Sequence, residues 1–278
     1  MEAIKLLFRH KAKLQHCDGP ILFWPITNGT YKIVKILLEN GASATAWSKN
    51  ELGTNYNMTP IQEAARKGHE RIADLLVGFG ATKLSNRDAV QIRFVEAAQW
   101  EDVEVLEKLV ERGAQVNVRN PNNETALINL LGAFFKPRPE LWLKFVYLLD
   151  VLGADVNLKG RGSLMTHGTT TPLHQAIIST KFCFDSKHTK SFSQVEKDLA
   201  EQLLRRLIER GAYVSGRDED EKTPLHVAAR WNNVVGAKIL IEAGARITPR
   251  DSDGKTPLDY AESAEMIRLL KSHGAKEQ

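Results

Sequence analysis

Cys183 and His188 stand five residues apart and are the first place to look for nucleophilic chemistry. A thiol attacks only as its thiolate, so such a pair needs an ordered base and an electropositive surround. Phe182 and Phe184 flank the cysteine instead, and no ordered base is evident. His167 and His188 have no partner at the spacing a zinc site requires. His174 and His226 each stand fourth in the same short string, Thr-Pro-Leu-His-x-Ala, where a structural hydrogen-bonding role is expected. No dinucleotide fingerprint, phosphate-loop lysine motif or nucleophile elbow occurs. These residues predict no catalytic group, no metal site, no cofactor and hence no enzyme.

Recognition chemistry is better represented. Six residues after a recurring glycine stand Trp47, Asn86, Arg119, Lys159, Arg217 and Arg250. A second column reads Arg66-Lys67, Gln99-Trp100 and Arg230-Trp231, so that Trp100 and Trp231 share one position. Exposed Trp and Arg are the residues from which binding hot spots are built. The candidate partner-binding set is therefore Trp47, Arg66, Lys67, Trp100, Arg119, Lys159, Arg217, Arg230, Trp231 and Arg250. Interleaved aromatic and basic residues also admit a nucleic acid. The net charge of +4 and the acidic run Asp218-Glu219-Asp220-Glu221 argue against it.

The elements that position these residues recur. A Gly-Ala pair stands at Gly41, Gly80, Gly113, Gly153, Gly211, Gly244 and Gly274, at intervals of 39, 33, 40, 58, 33 and 30 residues. A fixed period near 33 marks stacked supersecondary units. Thr223 and Thr256 lie 12 residues after their glycines, and each is followed by proline. Threonine caps a helix, proline suits its first turn, and glycine permits the left-handed residue that ends the second helix.

The hexapeptides Thr171-Pro172-Leu173-His174-Gln175-Ala176 and Thr223-Pro224-Leu225-His226-Val227-Ala228 resemble the ankyrin-repeat signature. Thr59-Pro60-Ile61-Gln62-Glu63-Ala64 and Thr256-Pro257-Leu258-Asp259-Tyr260-Ala261 are near copies. The resemblance implies an all-α solenoid of helix-turn-helix units with short β-hairpin fingers. It also implies a concave face of hairpin tips and first helices that binds a protein. The expected array fills 1–278: a half unit 1–12, then units ending near 42, 81, 114, 154, 212, 245 and 275. Because the chain starts in mid-repeat, a regulatory or targeting region of a larger enzyme or effector is the alternative.

Interval arithmetic places insertions around Trp47 to Asn57, from Phe134 to Glu140, from Lys159 to Gly168, and at about 180–196 between two helices. The unit ending at Gly113 has Ile92-Arg93 where Thr-Pro is expected. Restoring Thr and Pro there is predicted to raise the melting midpoint by supplying a cap. No run of 18 apolar residues predicts a membrane span. Two cysteines without a disulfide framework fit a reducing compartment, cytoplasmic or nuclear, or a host cytosol if the chain is a secreted bacterial effector.

Overall fold

The computed structural model describes residues 21–46, 58–120, 122–162, 168–184 and 192–276. Helices come in successive pairs that follow the glycine period. The first pairs are α1 (Phe23–Thr27) with α2 (Tyr31–Glu39), α3 (Pro60–Lys67) with α4 (Glu70–Gly78), and α5 (Asn86–Trp100) with α6 (Val103–Glu111). Then follow α7 (Ala126–Gly132) with α8 (Pro139–Val146), α9 (Pro172–Phe184) with α10 (Gln194–Glu209), and α11 (Pro224–Arg230) with α12 (Val234–Glu242). In the last pair a 3-10 turn, Pro257–Tyr260, replaces the first helix and precedes α13 (Ala264–Ser272).

The chain packs as two compact units. The first takes the described residues up to Glu96, with Lys108–Ala114 and Asn120–Asn122; the second takes Ala97–Glu107, Gln115–Arg119 and Asn123 onward. Apolar stripes build the first core from Ile26, Val34, Ile61, Ile72 and Leu76. In the second, Leu130, Phe145, Ile177, Leu204 and Leu240 are among the fully buried side chains.

The Gly-Ala pair ends the second helices by one repeated device. Gly244 takes φ +84°, its N–H donates to Ile241 O at 2.9 Å, and the Ala245 N–H reaches back to Leu240 O at 2.9 Å. That double closure satisfies carbonyls the helix leaves open, and it needs a left-handed residue. Ala245 is buried at 7 % exposure, which explains the small residue that follows. A Cβ at Gly244 would meet nothing within 4 Å, so only backbone strain opposes substitution. Gly244→Ala is expected to cost on the order of 1 kcal/mol, read as a lowered urea midpoint. Gly153 departs from the pattern. A π-helical turn, Tyr147–Val151, carries one residue more, so the Ala154 N–H reaches Leu148 O.

Thr59 starts α3 as expected, by accepting from the Gln62 N–H while the Gln62 side chain accepts from the Thr59 N–H. Only one finger contains paired strands among the described residues, β1 (Gly160–Arg161) against β2 (Thr169–Thr170). In the fingers at Asp218 and Asp251 the aspartate N–H donates to Lys222 O and Lys255 O, and its carbonyl accepts from Glu221 and Gly254 N–H. Of the insertion placed at about 180–196, residues 180–184 continue α9 and residues 194–196 open α10. α9 runs on to Phe184 and α10 begins at Gln194, capped by Ser193 and Glu196; residues 185–191 lie outside the described residues. Thr180 and Lys181 are buried, which is why the helix continues. At the Phe134–Glu140 insertion Phe134 is buried edge-on against Phe145, and Pro139 opens α8.

Candidate functional site

Of the candidate residues, Trp47 lies outside those described. Asn86, expected at a hairpin, is instead the first residue of α5. Arg66 and Lys67, at the end of α3, turn toward acids of the first unit. Arg66 Nε donates to Glu63 at 2.7 Å and Nη1 to Glu96 at 2.8 Å, while Lys67 Nζ donates to Glu96 at 2.6 Å. Thr27 donates its hydroxyl to Glu63 at 2.7 Å. Both carboxylates are buried, at 3 % and 5 % exposure. Burial opposes the Arg66 charge, but the Glu63 hydrogen bond and the two carboxylate charges outweigh it and hold its pKa above the ordinary value. Two acids against two bases leave no net formal charge. Glu63 and Glu96 were missed from sequence, although they hold the same repeat position, 33 residues apart.

The other candidates belong to the second unit. Arg119 is exposed, and its Nε donates to Lys159 O at 2.6 Å. Arg217 Nη1 donates to Arg250 O at 2.8 Å and to Glu221 O at 2.9 Å, and pairs with the Glu221 carboxylate at 3.2 Å. Arg250 in turn reaches Gly254 O at 2.7 Å. These arginines tie successive fingers together. A guanidinium has five donors, so such ties leave it able to meet an acidic group as well.

Trp100 closes α5 at 62 % exposure. The preceding carbonyl, Gln99 O, accepts from the buried Lys144 Nζ at 2.8 Å. Burial pulls the Lys144 pKa down, against Asp102 and Glu101, which raise it. Trp231 follows α11 and is half-buried, with Lys181 Nζ 3.4 Å from its ring centroid and the Arg230 guanidinium at 5.9 Å. The matched tryptophans thus differ: one is open, the other covered by a lysine of α9.

The histidines act as expected of structural residues. His174 Nε2 lies 2.9 Å from Lys222 O and Nδ1 lies 2.7 Å from the Thr171 hydroxyl. His226 repeats this against Lys255 O at 3.1 Å and Thr223 at 2.9 Å. A carbonyl can only accept, so Nε2 carries the proton and each neutral ring joins its repeat to the next finger. Burial pushes the His174 pKa down to about 4, helped by the Lys159 and His226 charges, against the Lys222 carbonyl bond that raises it. An unfolded histidine takes up its proton near pH 6.5, so stability is full above that and is lost as pH falls toward 4. The loss from His174 should approach about 3 kcal/mol. Urea midpoints between pH 7 and 4.5 should fall more steeply for the natural chain than for His174→Gln.

Cys183 is a free, buried thiol pushed up to about 12, chiefly by burial. That disfavours the thiolate a nucleophile needs. Among the described residues no group of three or more His, Cys, Asp or Glu could hold a metal ion. No helix there is long and apolar enough to cross a membrane.

The model of the family described as ankyrin repeats (3 copies) matches residues 1–88 and 194–278, well over half of the sequence. The chain belongs to the ankyrin-repeat family. Its paired helices, Thr-Pro starts and glycine closures are the ankyrin fold, and ankyrin repeats are in general protein-interaction modules. Among curated proteins none matches. The crystal structure of the human ASB11 ankyrin repeat domain is similar at 18 % identity, over 92 % of this chain and 99 % of that one, with a TM-score of 0.48.

Proposed function

We propose that this ankyrin chain is a non-catalytic protein-interaction module, acting as a scaffold, adaptor or occluding inhibitor. Its partner would lie on the finger and first-helix face of the second unit. The observation that carries this reading is Trp100, a large aromatic at 62 % exposure on a helix end that Lys144 fixes in place. A rigid, exposed tryptophan contributes area at little entropic cost when a partner covers it. Arg119, Arg230 and Arg250 are exposed on this unit and supply charge that sets association rate more than affinity. Lys159, Arg217 and Trp231 complete the surface. Arg66 and Lys67 belong to the first unit, outside this surface, and Glu63 and Glu96 cancel their charge. The free buried Cys183 fits work in a reducing, intracellular compartment.

Capture from a cell lysate on the immobilised full chain, run beside Trp100→Ala, tests the reading. Proteins that depend on this face should lose about 2 kcal/mol of affinity, roughly 30-fold in Kd. Trp100→Ala is the clean variant, since truncating Trp231 would also uncover Lys181. If every captured protein binds the variant as tightly, the face is not the recognition surface.

A further inference from the structure

We propose that Trp100 is the seat for a cationic side chain, arginine or lysine, of the partner protein. This rests on the reading of Trp100 as a contact residue and names what it contacts.

The repeat itself supplies the first argument. Trp100 and Trp231 hold one position in two repeats, each at the end of a first helix. At Trp231 the protein fills that position with its own cation, Lys181, whose ammonium lies 3.4 Å from the ring centroid. α9 owes this lysine to its insertion: it runs 13 residues, against 7 in α11. An indole face attracts an ammonium or guanidinium through its quadrupole. Lys181 is thus an internal stand-in for what this repeat position binds. At Trp100 the ring is open.

The surroundings of Trp100 favour the same charge. The C-terminal end of α5 carries the negative end of the helix dipole. Lys144, already bound to Gln99 O there, shows that this end draws a cation. Glu101, Asp102 and Glu104 follow Trp100 directly in sequence, and Asp102 and Glu104 are exposed.

The test uses the full chain with tryptophan indoles labelled with nitrogen-15. It is titrated at fixed ionic strength with a short peptide of alternating arginine and serine, and with matched peptides carrying glutamine or glutamate instead. The Trp100 indole signal, assigned by its loss in Trp100→Ala, should move saturably with the arginine peptide alone. Asp102→Asn should weaken that response roughly threefold. Lys181→Met, checked for folding by circular dichroism, should give Trp231 the response it lacks in the natural chain. If the glutamine or glutamate peptide moves Trp100 as far as the arginine peptide, the position is a contact but the cation assignment is wrong. If no peptide moves it while captured proteins still depend on Trp100, the cation assignment again fails and the proposed face stands. If capture ignores Trp100→Ala, the face itself is refuted, and this inference with it.

Discussion

Replacing Ile92 by Thr and Arg93 by Pro is expected to destabilise the first unit by on the order of 5 kcal/mol, the reverse of the sequence-based expectation. In four other repeats Thr-Pro opens the first helix or the 3-10 turn in its place, so its absence here reads as a missing cap. α5 opens earlier, at Asn86, where the Ser85 hydroxyl accepts from the Asp88 N–H at 3.0 Å and donates to the Asp88 carboxylate at 2.7 Å. Ile92 and Arg93 are therefore interior to a 15-residue helix. A proline at 93 removes one helical hydrogen bond and drives its ring against the carbonyl four residues before. Ile92 is 1 % exposed, so threonine there loses buried apolar volume and brings in a hydroxyl. Arg93 also donates to Arg66 O at 3.2 Å at the end of α3. Urea unfolding of the double variant, beside Arg93→Ala, separates the helix break from that one bond. A midpoint at or above that of the natural chain would show that α5 does not run through these residues.

A repeat sequence displays its backbone demands more openly than its helix lengths. The glycine column and the Thr-Pro hexapeptides were legible because each demands one residue type for a backbone reason: a positive φ or a pre-set helical start. Those demands placed the paired helices and the closures at Gly41, Gly80, Gly113, Gly211, Gly244 and Gly274. Helix length was not legible at α5 or α9, because extra turns there are stabilised by burial of Ile92 or Thr180 within the stack. Ser85-Asn86-Arg87-Asp88 was a readable start signal that the Thr-Pro template hid. The candidate surface was legible as a list of residue types, but its state was not. Nothing local in sequence separates Trp100, which is open, from Trp231, which is covered by a lysine 50 residues away in the chain. Nor does it tell that Arg66 answers two buried acids while Arg119 remains exposed.

Those two acids set up the other large effect. Arg66→Ala is expected to lower the stability of the first unit by about 3–5 kcal/mol at neutral pH, because it strands Glu63 and Glu96. Both carboxylates are almost wholly buried, with side-chain exposures of 4 % and 6 %, and Arg66 is bonded to both. Lys67 continues to reach Glu96, and Thr27 continues to donate to Glu63, but a hydroxyl does not neutralise a charge. An uncompensated buried carboxylate is much more costly than a lost surface pair, which is worth about 1 kcal/mol or less. The stranded acids would relieve the cost by taking up protons. The deficit of Arg66→Ala should therefore shrink as pH falls toward 4, while the natural chain loses stability over the same range through His174. Adding Glu63→Gln and Glu96→Gln to Arg66→Ala should recover much of the loss at neutral pH by removing the charge and keeping the shape. A deficit under about 1 kcal/mol, equal at low and high salt, would mean that water already screens the network. In that case Arg66 would return to the candidate surface as an available cation.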